Sequence, residues 1–147
     1  MLDTNVVSEP LRAKPDPRVV RWLYEQPVER TFVSVLTLAE IDQGIEHLPL
    51  ADPRQRKYES FRDSLEADFA GRVLPLESDV VRLWGTLAGR YQRTFGGRPP
   101  VVDALLTATA QHRRLYVATR NLKDVRNLGW SAFNPWTDDP ADFPIVA

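Results

Sequence analysis

Cysteine is absent from the 147 residues. Disulfide staples and thiolate zinc sites are therefore excluded, and a reducing cytoplasm suits the chain. Histidine is almost absent, and His47 and His112 alone cannot build a histidine-rich metal cluster. Both fall in late helical turns, where they read as structural or surface groups. No apolar run approaches the roughly 20 residues of a membrane-spanning helix, and nothing reads as a signal peptide. Neither G-x-G-x-x-G nor a Walker loop occurs, so nucleotide cofactors lack their usual cradle. The formal charge of -1 argues against a uniformly basic protein that binds nucleic acid by electrostatics alone.

What remains is an ordinary globular composition, 43% apolar and 27% charged, in a length that supports one sizeable core. Charge is unevenly placed: Asp138, Asp139 and Asp142 crowd the last ten residues without a base, which leaves the body more basic than the total. Of 19 basic residues 16 are arginine. Arginine suits bidentate phosphate contacts, although genome composition alone gives the same bias. Arg113-Arg114 and the Arg54–Lys57 cluster read as solvated charge. Trp22, Trp84, Trp130 and Trp136 read as core rather than as stacking platforms for bases.

Strand and helix signals alternate. Met1-Leu2 reads as the end of a first strand, with a short helical stretch through Val6, Val7 and Leu11 behind it. Asp16-Pro17 starts a helix that runs to about Glu25, with a capping side chain followed by proline in the first turn. Thr31–Val35 is β-branched and predicts a strand, and a helix from Thr37 carries Leu38, Ile41 and Ile45. Asp52-Pro53 repeats the start signal for a helix with Tyr58, Phe61, Leu65 and Phe69 on one face, ended by Gly71. Arg72–Leu76 is a strand, and Ser78 is placed to cap the next helix. A loop at Gly96–Pro100 precedes a helix from about Val101 to Arg113. Leu115–Ala118 and Trp130–Trp136 complete the strands. This alternation predicts a helix-rich α/β fold of three layers, α/β/α, around a central parallel sheet.

In such sheets, groups just past the carboxyl ends of the strands converge on one crevice. Asp3, Glu40, Asp103 and Asp124 all fall at strand ends or in the first turn of the following helix. Clustered carboxylates repel one another unless a cation joins them, and hard oxygen ligands favour Mg²⁺ or Mn²⁺. Each acid also has a structural reading. Thr37-x-x-Glu40 matches a capping box, Asp103 suits a helix dipole, Asn121-x-x-Asp124 is placed to cap a short helix, and Asp3 with Asn5 fits an Asx turn. Spacing alone leaves both readings open.

Leu2-Asp-Thr-Asn-Val-Val-Ser-Glu9 resembles the opening of PIN domains of the VapC and FitB toxin group. Thr37–Ile45, Asp103–Ala110 and Val117–Asp124 resemble that group's second, third and fourth motifs, in order, and Phe133-Asn-Pro-Trp136 resembles its end. The resemblance implies a PIN-like nuclease domain over residues 1–136 and an acidic tail, 137–147, expected to be disordered. It further implies a metal-dependent endoribonuclease, the toxin of a toxin–antitoxin pair. Its partners would be RNA, a cognate antitoxin and a second copy in a homodimer, with DNA reached only through the antitoxin. Asp3, Glu40 and Asp103 match the family's three principal acidic metal positions. Relatives place the fourth acid at Asn121 or at Asp124. Here the first is an amide, so Asp124 is favoured, with Asn5, Thr119 and Asn121 as polar support. Arg120 or Arg98 is a candidate contact to the RNA backbone. Relatives carry several apolar residues before the first Asp, so the expectation is a clipped first strand. The alternatives are a catalytically degenerate PIN fold that binds RNA or a partner, and a receiver-type signalling domain. The latter would need a phosphoacceptor Asp after a central strand, and neither Val33–Val35 nor Val73–Leu76 supplies one.

Overall fold

Two pairs of short strands are joined by the first residues of the chain. In the computed structural model, which describes residues 1–142, β1 (Val33–Ser34) pairs in parallel with β2 (Val73–Leu74), and β3 (Val117–Ala118) with β4 (Ala132–Phe133). Leu2 forms a parallel bridge to Ala118, and its N–H donates to Phe32 O at 2.8 Å. The segments thus lie in the order β2, β1, Leu2, β3, β4. Around them lie α1 (Thr4–Val7), α2 (Pro17–Glu25), α3 (Val35–Glu46), α4 (Gln55–Asp68), α5 (Ser78–Phe95), α6 (Val101–His112) and α7 (Leu122–Asn127).

The layers follow from what each strand buries. Leu2 and Val33 pack with Val6, Val7, Ile41, Ile45 and Leu65 of α1, α3 and α4. Val117 and Ala132 pack with Leu106, Ala110 and Val125 of α6 and α7. Small residues on α6, Ala104 and Ala108, admit α5 through Val80 and Leu87. The result is the expected helix-rich, three-layer α/β/α fold with a central parallel sheet. All four tryptophans are partly buried against these clusters, as expected of core residues. Among the described residues no helix is long and apolar enough to cross a membrane.

Boundaries differ from expectation in instructive ways. Strands are two residues long because the chain stops offering donors: Pro75 follows β2 and Pro135 lies just beyond β4, and neither has an N–H to extend a ladder. At β1 the limit is a cap. Ser34 Oγ accepts from Leu36 N at 3.1 Å, so α3 starts at Val35 rather than Thr37. Thr37 is then fully buried with its hydroxyl unpartnered, and the capping box with Glu40 does not form. Likewise Glu77, not Ser78, occupies the cap position of α5, with no side-chain cap bond. Of the tail expected to be disordered, Thr137–Asp142 are described. Asn134 N donates to Asp138 Oδ2 at 2.9 Å, and the Arg18 guanidinium donates to the carbonyls of Trp136, at 3.1 Å, and of Asp138. Residues 143–147 lie outside the described residues.

Candidate active site

Asp3 follows Leu2 directly, where the central segment leaves the sheet, and its own N–H still reaches Ala118 O at 3.0 Å. Its carboxylate is the N-cap of α1 and is buried. Oδ1 accepts from Thr4 N at 2.7 Å; Oδ2 accepts from Asn5 Nδ2 at 2.7 Å and from Thr119 Oγ1 at 2.6 Å. Burial raises its pKa above the ordinary carboxylate value, and these three donors pull it back. Thr119 does a second job. Its hydroxyl oxygen accepts from Asn121 N at 3.0 Å, which shapes the turn out of β3.

Glu40 stands in the second turn of α3, and the Thr4 hydroxyl donates to its Oε2. One short segment, Asp3–Asn5, therefore holds two of the acids. Burial also raises the Glu40 pKa; the Thr4 bond opposes this and the Asp3 charge adds to it. Asp103 lies in the first turn of α6, and Thr107 Oγ1 donates to its backbone carbonyl at 2.7 Å. Its carboxylate has no hydrogen-bond donor among the described residues. Burial, then the charges of Asp3, Asp124 and Glu40, push its pKa up to about 6. Asp124 occupies the first turn of α7 and is half-buried, whereas Asn121 at the cap is exposed and makes no side-chain cap bond. The cap readings of Glu40 and Asn121 thus fail, and in place of an Asx turn with Asn5 the Asp3 carboxylate caps α1 through Thr4 N and takes the Asn5 side-chain amide.

Asp3, Glu40 and Asp124 all come within electrostatic reach of Asp103. They are not drawn together: among the described residues no group of three or more His, Cys, Asp or Glu side chains is arranged to hold a metal ion as it stands. The elevated pKa of Asp103 reflects its burial first and the charges of the other three acids second. The donor set is oxygen only, which fits a hard divalent cation and not zinc or copper.

A family model described as "PIN domain" matches residues 1–128. The chain is a PIN-domain protein. It is 36% identical over 138 residues to "Toxin FitB" of Neisseria gonorrhoeae, covering 94% of this chain and 99% of that one. To "VapC ribonuclease Y4jK" of Sinorhizobium fredii it is 34% identical over 140 residues, covering 92% and 96%. It superposes with a TM-score of 0.84 on a chain in the structure of FitAB bound to an IR36 DNA fragment, at 34% identity and covering 94% and 96%. Membership of the PIN family removes the receiver alternative.

Within this PIN domain two residues escaped sequence reasoning. Thr4 ties Glu40 to the Asp3 segment; a hydroxyl set between two residues that already look functional was the available signal. Glu9 is 3% exposed, and its Oε1 accepts from Asp16 N at 2.8 Å. Its other oxygen lies 3.4 Å from Arg120 Nη2 and 3.6 Å from Arg12 Nη1. Arg120 also stacks 4.1 Å above the Trp136 ring, so this exposed candidate phosphate ligand already has partners within the protein. Arg98 is exposed in the loop before α6 and has no ion-pair partner among the described residues.

Proposed function

We propose that this chain is a metal-dependent endoribonuclease and the toxin of a toxin–antitoxin pair. The observation that carries the reading is the set of carboxylates gathered about Asp103, whose burial and the charges of Asp3, Asp124 and Glu40 push its pKa up to about 6. Such a site gains most from a bound cation. Asp3 and Asp103, with Glu40 and Asp124, would hold Mg²⁺ or Mn²⁺, which would supply a hard positive charge to acidify water and offset charge on phosphate. The chain's own part is positioning. Thr119, Thr4 and Asn5 fix the Asp3 carboxylate, Thr4 fixes Glu40, and Asn121 and Thr119 shape the loop that carries Asp124. Carboxylates left unprotonated can take the proton from water as it attacks an RNA phosphate.

The relatives' names support the pairing. "Toxin FitB" and a VapC ribonuclease are similar over nearly the whole chain, and FitAB is a complex on DNA. The partners inferred here are RNA as substrate, a cognate antitoxin, and a second copy in a homodimer, with DNA met only through the antitoxin. Residues 1–136 form the catalytic unit, and the cytoplasm is the compartment. Purified protein with Mg²⁺ or Mn²⁺ is expected to cut RNA and, when induced, to arrest growth, while Asp3→Asn does neither. Identical behaviour of the two proteins overturns the reading.

The spread of the carboxylates favours one other reading, a degenerate PIN fold that binds RNA or a partner without cutting. Metal titration followed calorimetrically, wild type against Asp103→Asn, separates the two. Tight binding by the wild type alone supports the enzyme.

A further inference from the structure

Charge is divided unevenly around this site. Residues 80–123 hold eight basic side chains and a single acid, Asp103 itself, against 11 bases and 19 acids in the rest of the chain. Much of that excess lies on α5. The only acid on this helix is Asp79 in its first turn, and Arg82, Arg90 and Arg93 follow. At about 100° per residue the three fall within roughly 80° of arc, away from Val80 and Leu87, which pack toward α6. All three are exposed, and none has an ion-pair partner among the described residues. By contrast Arg54, Arg62 and Arg113 each lie within 3 Å of a carboxylate oxygen.

The direction of this row matters. From Arg82 to Arg93 it rises about 16 Å along the helix. Gly96, at φ 78°, ends α5 in the left-handed region, which costs glycine little. The chain then turns through Arg98 and two prolines into α6, whose first turn carries Asp103. The row therefore ends close along the chain to the first turn of α6, which carries Asp103. Thr86 and Gly89 lie between the arginines on the same face and are exposed, so the row lacks the large apolar anchor on which protein interfaces centre. Unpaired guanidiniums at intervals along a straight line suit a polyanion, and phosphate contacts set register without reading sequence.

We infer that Arg82, Arg90 and Arg93, continued by Arg98, form the track along which the phosphates of an RNA strand run into the crevice. The inference rests on the ribonuclease reading and adds to it a direction of entry and the residues that guide it.

The test is fluorescence anisotropy of a labelled, unstructured RNA oligomer with the metal-free full chain, titrated at several salt concentrations. The variant Arg82→Gln/Arg90→Gln/Arg93→Gln changes only exposed side chains, and an unchanged Tm verifies its fold. Expected is a loss of affinity of about 10- to 100-fold at low salt. The slope of log K against log salt should shrink by about 2, as three lost single-strand contacts require. Arg56→Gln on α4 should leave both unchanged. Wild-type affinity and slope in the triple variant overturn the track, as does a wild type that binds no RNA. Loss of antitoxin binding with RNA affinity intact also overturns it, and assigns the row to a protein partner. A wild type that binds RNA through the row yet cuts none removes the ribonuclease reading and leaves the track standing. A wild type that cuts, beside a triple variant that binds undiminished, does the reverse.

Discussion

Asp3 and Asp103 lie within electrostatic reach of each other, and they are held there by opposite means. Asp3 leaves the sheet with both oxygens occupied: Thr4 N, Asn5 Nδ2 and Thr119 Oγ1 all donate to it at 2.6–2.7 Å. Asp103 stands in the first turn of α6 with no donor among the described residues, and burial and the charges of three other carboxylates act on it. One side is a built anchor, in which hydrogen bonds offset the cost of a buried charge. The other is an uncompensated charge, which a proton or a cation stabilises. In this chain the sheet side fixes a carboxylate by hydrogen bonds, and the helix side leaves one with its charge uncompensated among the described residues.

The largest effect should come from neutralising either acid. Asp3→Asn and Asp103→Asn are each expected to lower RNA cleavage by about 10²–10³-fold or more in a gel assay with Mg²⁺. Stability should separate them. Asp103→Asn removes a repelled charge and should raise the Tm of the metal-free protein by a few degrees. Asp3→Asn turns an acceptor of three hydrogen bonds into an amide whose NH₂ opposes a donor, and should lower it. Equal Tm shifts would break the contrast.

Next in size is the anchor itself. Thr119→Val keeps the shape and deletes the hydroxyl that links Asp3 to Asn121 N. The buried carboxylate loses a donor and the loop N–H loses its acceptor, at a cost of about 1–3 kcal/mol. Metal affinity should fall about 10–100-fold, as for other groups that orient a ligand. Chemical denaturation and isothermal titration calorimetry measure the two effects. Unchanged metal affinity would mean that Asp3 needs no orienting partner.

The two sides were not equally legible in the amino-acid sequence. Alternating strand and helix signals place Asp3, Glu40, Asp103 and Asp124 at strand ends, and the topology rule for parallel sheets predicts their convergence. In the structure Asp3, Glu40 and Asp124 come within electrostatic reach of Asp103, without closing into a group that holds a metal ion as it stands among the described residues. Helix starts were harder to read, because several side chains compete to cap. Thr37-x-x-Glu40 looks like a capping box, yet Ser34 caps α3 three residues earlier and leaves Glu40 for the crevice. The contacts that make Asp3 an anchor were only half legible. Asn5 lies two residues away, but Thr119 is 116 residues distant, and nothing local reports a partner so far along the chain. Glu9 was invisible for the same reason: its meeting with Arg120 exists only once the sheet has formed.

A smaller effect tests the helix side through pH. The Asp103 pKa is raised from 3.8 in the unfolded chain to about 6 in the fold, so the folded state binds the proton more tightly. The group contributes stability below pH 3.8, and that contribution is lost as pH rises through about 6. Asp3 and Glu40 shift in the same direction. For metal-free protein, the Tm advantage of Asp103→Asn over wild type should therefore be widest at pH 7.5 and should narrow at pH 5. Saturating Mg²⁺ should reverse the ranking above pH 6, where the wild type alone gains from the cation. Calorimetry at several pH values tests this, and an advantage independent of pH would dissociate Asp103 from the charge cluster.

The smallest expected effect decides the fourth position. Asp124 sits in the first turn of α7 and is one of the charges that raise Asp103, whereas Asn121 is an exposed amide with no cap bond to its helix. Asp124→Asn should then move the Asp103 titration down in pH, visible by NMR of the labelled carboxyl carbon, and should weaken Mg²⁺ binding modestly. Asn121→Ala should do neither, because the Asn121 group that bonds to Thr119 is its backbone N–H, which alanine retains. Asn121→Asp supplies the sharper contrast. A carboxylate there adds a charge on the same side as Asp103 without adding a donor, and should raise the Asp103 pKa further. If Asn121→Asp instead leaves that titration unmoved while Asp124→Asn also does nothing, the fourth acid lies outside the field of the other three, and the helix side of the crevice rests on Asp103 alone.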